Sequence, residues 1–79
     1  MSQPRARSTA VPVEVVRPMN DHGAMTVEVT HRNEARHVVE YASESTRETL
    51  SRLPSGSSIP LELEPLGPRA NVWRVLRIA

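Results

Sequence analysis

Hydrophobic and polar residues alternate with period two along most of the chain, a pattern typical of strands with one buried face. The clearest example is Met25, Val27 and Val29, which alternate with polar residues and include two β-branched side chains. The pattern predicts five strands, at residues 11–17, 25–31, 36–41, 59–64 and 72–78. The last of these segments also fits one face of a helix, so its assignment as a strand is the least specific.

The period changes between the third and fourth predicted strands. Ser45 and Glu48 have the spacing of a capping box, in which each side chain bonds a free backbone N–H at the start of a helix. A helix of two to three turns would follow and bury Leu50 and Leu53. It would end at Pro54, because proline cannot extend a helix and a glycine follows two residues later.

The resulting order of elements is β-β-β-α-β-β. This order resembles the OB-fold, a small Greek-key barrel of five strands, and the resemblance covers residues 11–78 through element order alone. It implies a mainly β fold, a partly open five-stranded barrel with the helix at one end. An SH3-like barrel and a mixed α+β sheet remain alternatives. Residues 1–10 are expected to form a flexible N-terminal arm, and residues 11–79 a single domain.

Length and composition narrow the possibilities further. A chain of 79 residues has room for one small domain, and without cysteine it has no disulfide and no thiolate metal site. All ten basic residues are arginine, and nine acids almost balance them. There is no apolar run of about 20 residues to span a membrane and no signal peptide, so we expect a cytoplasmic protein.

The sequence contains no recognisable catalytic motif. It lacks a glycine-rich phosphate loop, a nucleophile elbow and an acid–base pair of known spacing, so we expect neither an enzyme nor a cofactor. His31 and His37 would lie on one face of a hairpin, with Glu34 in the turn between them, which is a conceivable zinc site. The simpler interpretation is that both histidines are solvated or hydrogen-bonded, and we predict no metal.

The resemblance to the OB-fold implies where a ligand would bind. In that fold the ligand lies across strands two and three, between the loop joining strands one and two and the loop joining strands four and five. These loops and the last strand supply hydrogen-bond donors and one aromatic ring that suit phosphates and bases. The implied site consists of Arg17, Asn20, His22, Arg69, Asn71, Trp73, Arg74 and Arg77.

Two functions therefore remain open from the sequence. The first is weak binding of single-stranded DNA or RNA, in which Trp73 either stacks on a base or is simply the largest core residue. The second is a protein-interaction module that pairs an exposed strand edge with a second copy of itself or with a protein partner. Few aromatic residues and a nearly neutral charge favour the second, whereas the acid-free C-terminal arginines favour the first.

Overall fold

The fold is mainly β, with one short helix. A computed structural model of the chain describes residues 10–79. The elements are β1 (Ala10–Arg17), β2 (Met25–Val29), β3 (Glu34–Tyr41), α1 (Glu44–Ser51), β4 (Ser58–Pro65) and β5 (Val72–Ile78). The predicted order β-β-β-α-β-β is confirmed, and β5 is a strand. The predicted arm lies outside the described residues except for Ala10, which instead begins β1 opposite Glu62.

The five strands hydrogen-bond in a closed ring, in the order β1-β2-β3-β5-β4 with β4 returning to β1. Four of the five pairings are antiparallel, and β3 with β5 is parallel. A parallel pairing needs a crossover connection, and here α1 and β4 form it. The sequence led us to expect a partly open sheet, but the pairing of β1 with β4 gives every strand two neighbours.

The inner face of the ring is filled mostly by valine. Alternate residues of β1, β2 and β4 point inward, whereas register shifts at Val39 in β3 and at Leu76 in β5 interrupt the alternation and leave these two side chains exposed. Leu50 of α1 is also fully buried, as the sequence predicts. The buried core residues are Val13, Val15, Met25, Val27, Val29, Val38, Leu50, Leu61, Leu63 and Val75.

The N-cap of α1 is Ser43, so the sequence prediction of Ser45 was wrong. Ser43 has extended backbone angles, φ −141° and ψ 155°, and its hydroxyl accepts a hydrogen bond from the backbone N–H of Thr46 at 3.2 Å. Ser45 already lies in the first helical turn, after Glu44, whose charge favours a helix N-terminus. The serine-rich segment offers two caps, and the earlier one is used.

The turn between β2 and β3 also differs from the prediction. β2 ends at Val29 and β3 begins at Glu34, directly opposite it, so the turn comprises residues 30–33. Asn33 adopts a positive φ of 50°, which asparagine tolerates better than most residues. His31 therefore lies in the turn, while His37 is paired with Thr26. The two histidines are not cross-strand neighbours, which removes the geometry of the zinc hypothesis.

The capping assignment is testable with two serine variants. Ser43→Ala removes the acceptor for the Thr46 N–H and should lower the free energy of unfolding by about 1 kcal/mol. Ser45→Ala is the matched control, since Ser45 caps no backbone group, and it should have a much smaller effect. Chemical denaturation of both variants measures the difference, and equal losses would contradict the assignment.

A second prediction concerns the buried helix residue. Leu50→Ala should destabilise the domain by about 2–5 kcal/mol, because it removes a fully buried side chain and leaves a cavity. The control is Leu76→Ala, the same change at a leucine that is 37% exposed. If the two variants melt at the same temperature, Leu50 does not contribute to the core as described.

Candidate functional site

A row of side chains crosses the outer surface of four strands. In the register of the sheet Arg17 of β1 lies beside Thr26 of β2, Thr26 beside His37 of β3, and His37 beside Val72 of β5. We call these four residues the outer row. The Thr26 Oγ1 and His37 Nδ1 atoms are 3.1 Å apart, so one hydrogen bond links the two strands on this surface.

A concavity of about 270 Å³ opens at the Arg17 end of the outer row. Its wall combines a guanidinium, an imidazole, an amide and a hydroxyl with three less polar residues, and contains no carboxylate. The lining residues are Arg17, Pro18, Asn20, Ala24, Met25, Thr26 and His37. The concavity therefore has a partly apolar wall and a polar wall that carries a positive charge.

The loop between β1 and β2 is held by the side chain of Asn20. Its Oδ1 atom accepts hydrogen bonds from the backbone N–H groups of His22 at 2.9 Å and Ala24 at 3.0 Å. These two bonds identify the oxygen of the amide, since the Nδ2 group could not accept them. The Nδ2 group has no described partner and remains free to donate. His22 itself is exposed on the same loop.

Gly23 attaches the same loop to β3 and to the helix. Its carbonyl oxygen accepts a hydrogen bond of 2.7 Å from the hydroxyl of Tyr41. Its φ is +82°, a backbone conformation that favours glycine, and an added Cβ would lie 3.0 Å from the end of the flexible Arg47 side chain, which would have to shift slightly. Tyr41 and Arg47 were not among the predicted site residues, because no local sequence pattern links them to a loop 18 or more positions away.

Burial of the phenol raises the pKa of Tyr41 to about 12, although the nearby Arg47 guanidinium acts in the opposite direction. The ring is half-buried and its hydroxyl is the donor to the loop, so ionisation would remove that hydrogen bond. The loop is therefore held by a neutral tyrosine.

Ion pairs divide the arginines into two groups. Arg74 contacts Glu40 at 2.9 Å and Glu64 at 3.0 Å, across three strands. The hydrogen bond that its guanidinium donates to Glu40 is the main reason that the pKa of Arg74 is raised further. Arg77 pairs with Glu62 at 3.1 Å. Arg36 and Arg52 are also paired with glutamates. Four arginines have no carboxylate partner among the described residues, namely Arg17, Arg32, Arg47 and Arg69.

Trp73 is partly buried and is held by contacts within the domain. The Arg36 guanidinium lies over the ring, with its carbon atom 3.9 Å from the ring centroid. The indole N–H donates to Asn71 Oδ1 at 2.7 Å, and Asn71 Nδ2 donates to the carbonyl of Ala35 at 2.8 Å. Trp73 also packs against the hydrophobic core. These contacts give both Trp73 and Asn71 a structural role.

The eight residues predicted from the sequence thus occupy two surroundings. Arg17 and Asn20 line the concavity, and His22 lies on the same loop. Arg69 is exposed in the connection between β4 and β5, which ends beside Val72 of the outer row. The side chains that already have partners within the domain are Asn71, Trp73, Arg74 and Arg77.

Residues 10–79 contain neither a metal-binding cluster nor a membrane-spanning helix. No cluster of three or more histidine, aspartate or glutamate side chains there could hold a metal ion. The one helix in this range is also too short and too polar to cross a membrane.

Comparison with known families gives a match over the whole chain. A profile described as "Family of unknown function (DUF7999)" matches residues 1–79. The chain belongs to this family. Neither the curated proteins nor the solved structures that were searched gave a match. The DUF7999 description names no activity, so a function for this chain has to be argued from its own side chains.

The role of Tyr41 can be tested by alkaline titration. The chain has one tyrosine, no cysteine and no lysine, so Tyr41 is the only side chain that titrates between about pH 9 and 12. Its pKa is about 12 in the folded state and 10.0 when unperturbed. The unfolded state therefore releases its proton first, and stability that is fully present below pH 10 should fall as the pH rises toward 12.

Phenolate absorbance measures the pKa of Tyr41, and chemical denaturation of the same samples measures the free energy of unfolding at each pH. Tyr41→Phe serves as the control, because it keeps the ring and lacks the titrating group, and it should lose the dependence on pH in this range. A phenol that titrates near pH 10 in the folded protein would contradict the described burial.

Proposed function

We propose that the domain is a small OB-like module that binds single-stranded DNA or RNA weakly, without catalysis. The OB-like assignment is supported by the strand order β1-β2-β3-β5-β4 and by the parallel pairing of β3 with β5. The single observation that carries the binding proposal is the concavity beside the β1–β2 loop, which contains an arginine and no carboxylate.

An unpaired arginine is the appropriate group for this function. Most contacts between proteins and nucleic acids are made to phosphates, and guanidinium groups bind them with directed hydrogen bonds. Arg17 has no described carboxylate to neutralise it, and Arg69 is free in the same sense near the other end of the outer row. His37, Thr26 and Asn20 supply further polar groups between or beside them.

Arg74 and Arg77 contribute less to the proposed interface than the sequence indicates. Each guanidinium already bonds a glutamate, so a phosphate would have to compete with that carboxylate. The proposed interface therefore consists of Arg17, Asn20, His22, Arg69, Thr26 and His37, and the paired arginines are not part of it.

The expected affinity is low. Glu14 of β1 and Glu28 of β2 are paired in the register of the sheet. They lie on the same outer surface as Thr26, which is two positions before Glu28 in β2. Their charges oppose a polyanion. Few phosphates can be neutralised by so few free arginines, so binding should be weak and should decrease steeply with salt.

The alternative is a protein-interaction module. It could bind its partner through a strand edge or through exposed apolar side chains, and one observation bears on each. The closed ring leaves no unpaired strand edge among the described strands, which disfavours pairing through an edge. Three apolar side chains, Val16, Val39 and Leu76, are nevertheless exposed by 37% or more. A protein partner that covers them is the second candidate function. The cytoplasmic location expected from the sequence stays a prediction.

The binding proposal is tested by titrating the full chain with mixed-sequence DNA and RNA strands at several salt concentrations. Each arginine that contacts a phosphate should contribute about 0.7 to the slope of log K against log salt for single strands. Arg17→Gln should lower that slope by this amount and weaken binding. Arg32→Gln is the matched control, because Arg32 is also exposed and unpaired but lies in the β2–β3 turn.

Equal effects of the two variants would contradict the proposed interface. A complete absence of binding at low salt, together with a molecular mass that rises with protein concentration, would favour the protein-interaction alternative.

A further inference from the structure

The side chains around the concavity offer more unpaired hydrogen-bond donors than unpaired acceptors. Asn20 Oδ1 already accepts two backbone hydrogen bonds, whereas its Nδ2 group has no described partner. Arg17 can only donate. Thr26 and His37 share one hydrogen bond, and whichever of them accepts it, the pair keeps one N–H or O–H donor as well as some acceptor capacity, so the donors in excess are those of Arg17 and Asn20.

The ligand that best complements such a surface offers acceptors only. A phosphate group in a nucleic acid backbone has acceptor oxygens, a negative charge and no donor at neutral pH. Every nucleobase also presents N–H donors, and those that enter this concavity would find few acceptors there. An unmatched buried donor is costly, because its hydration is lost without replacement.

The arrangement of the aromatic side chains also favours recognition of phosphate over recognition of bases. Proteins that bind single strands through their bases usually stack them on aromatic rings. This chain has one tryptophan, one tyrosine and no phenylalanine. Trp73 lies under Arg36, and Tyr41 is half-buried against the β1–β2 loop, so neither offers a free platform. Among the residues that line the concavity, His37 has the one aromatic ring, and it is hydrogen-bonded to Thr26.

We propose that the concavity beside the β1–β2 loop is a phosphate subsite, with Arg17 and the Asn20 Nδ2 group as its donors, and that the domain binds the backbone of a single strand irrespective of its bases. This inference rests on the proposed function. It specifies which part of the nucleic acid is recognised, and it assigns Asn20 two roles: its oxygen shapes the loop and its nitrogen contacts the ligand.

The first experiment removes the bases from the ligand. An oligothymidylate and an abasic strand with the same number of phosphates are titrated into isotopically labelled full-length protein, with amide shifts as the readout. Equal affinities, with shifts at the same residues of the β1–β2 loop, are expected. A loss of about tenfold or more without bases, the size that stacking supplies, would overturn the phosphate assignment.

The same titration separates this inference from the proposed function. If the base-bearing strand binds and the abasic strand does not, only the phosphate subsite is wrong. If neither strand binds at low salt, the proposed function fails as well. Inorganic phosphate is the third probe: it should shift the same loop amides, and shifts confined to other regions would overturn the subsite.

The second experiment uses a variant that keeps the loop and changes the donor. Asn20→Asp retains an oxygen for the His22 and Ala24 N–H groups but replaces Nδ2 with a second carboxylate oxygen. It should fold normally and lose most of its binding to both strands. Asn33→Asp is the matched control, since it changes the net charge equally, in the β2–β3 turn.

Comparison of the two variants identifies the local effect. Asn33→Asp should weaken binding only slightly, through the long-range effect of one added charge. If both variants weaken binding to the same extent, the Asn20 side chain is not a ligand-binding group and the subsite as described is wrong. Amide spectra of the unbound variants verify that the loop is intact.

Discussion

The parallel pairing of β3 with β5 is the contact on which the remaining structure depends. It joins the hairpin of β2 and β3 to the pair formed by β4 and β5, and so closes the ring. Hydrogen bonds reinforce it at both ends, from Asn71 Nδ2 to the carbonyl of Ala35 and from the Ala42 N–H to the carbonyl of Val75. Because the ring is closed, the inward side chains of all five strands pack against one another in one cluster. A core made largely of small valine side chains can therefore exclude water without phenylalanine.

The same pairing determines how charge is distributed over the surface. It brings Arg74 to Glu40, while the pairing of β4 with β5 brings Arg74 to Glu64. One side of the ring is thereby neutralised internally. The outer row shares β3 and β5 with these ion pairs but continues across β2 to β1, and it ends at Arg17, where no glutamate is in register. A nearly neutral protein can therefore carry a local cationic site, and its location follows from which arginines lack a cross-strand acid.

The strands were predictable because each has one buried face, and alternation along Met25, Val27 and Val29 follows directly from that burial. The helix was predictable from the change of period, the capping-box spacing and the stop at Pro54, and Leu50 from the apolar stripe of that helix. The cap was not, since Ser43 and Ser45 are both suitable residues and only the path from β3 into α1 selects the first. The register of the β2–β3 hairpin could not be predicted from local sequence either, because it depends on which residues of the two strands lie opposite each other.

Less of the candidate site than of the fold could be predicted from the sequence. Arg17 and Asn20 could be named because they border a polar loop that follows a predicted strand. Whether an arginine is free or paired depends on contacts between distant strands, so Arg74 and Arg77 were indistinguishable from Arg17 in the sequence. Tyr41 and Arg47 reach the loop only through the folded arrangement of β3 and α1.

In the closed ring the order of the strands in space differs from their order along the chain, because β4 lies between β1 and β5. Ala10 in β1 and Arg77 in β5 both lie in register with Glu62, on opposite sides of β4. Two strand spacings, about 10 Å, therefore separate the backbones of the first and last strands at that level. The pairing of the strands is thus cyclic: each strand has the same two neighbours whichever strand of the ring is counted first.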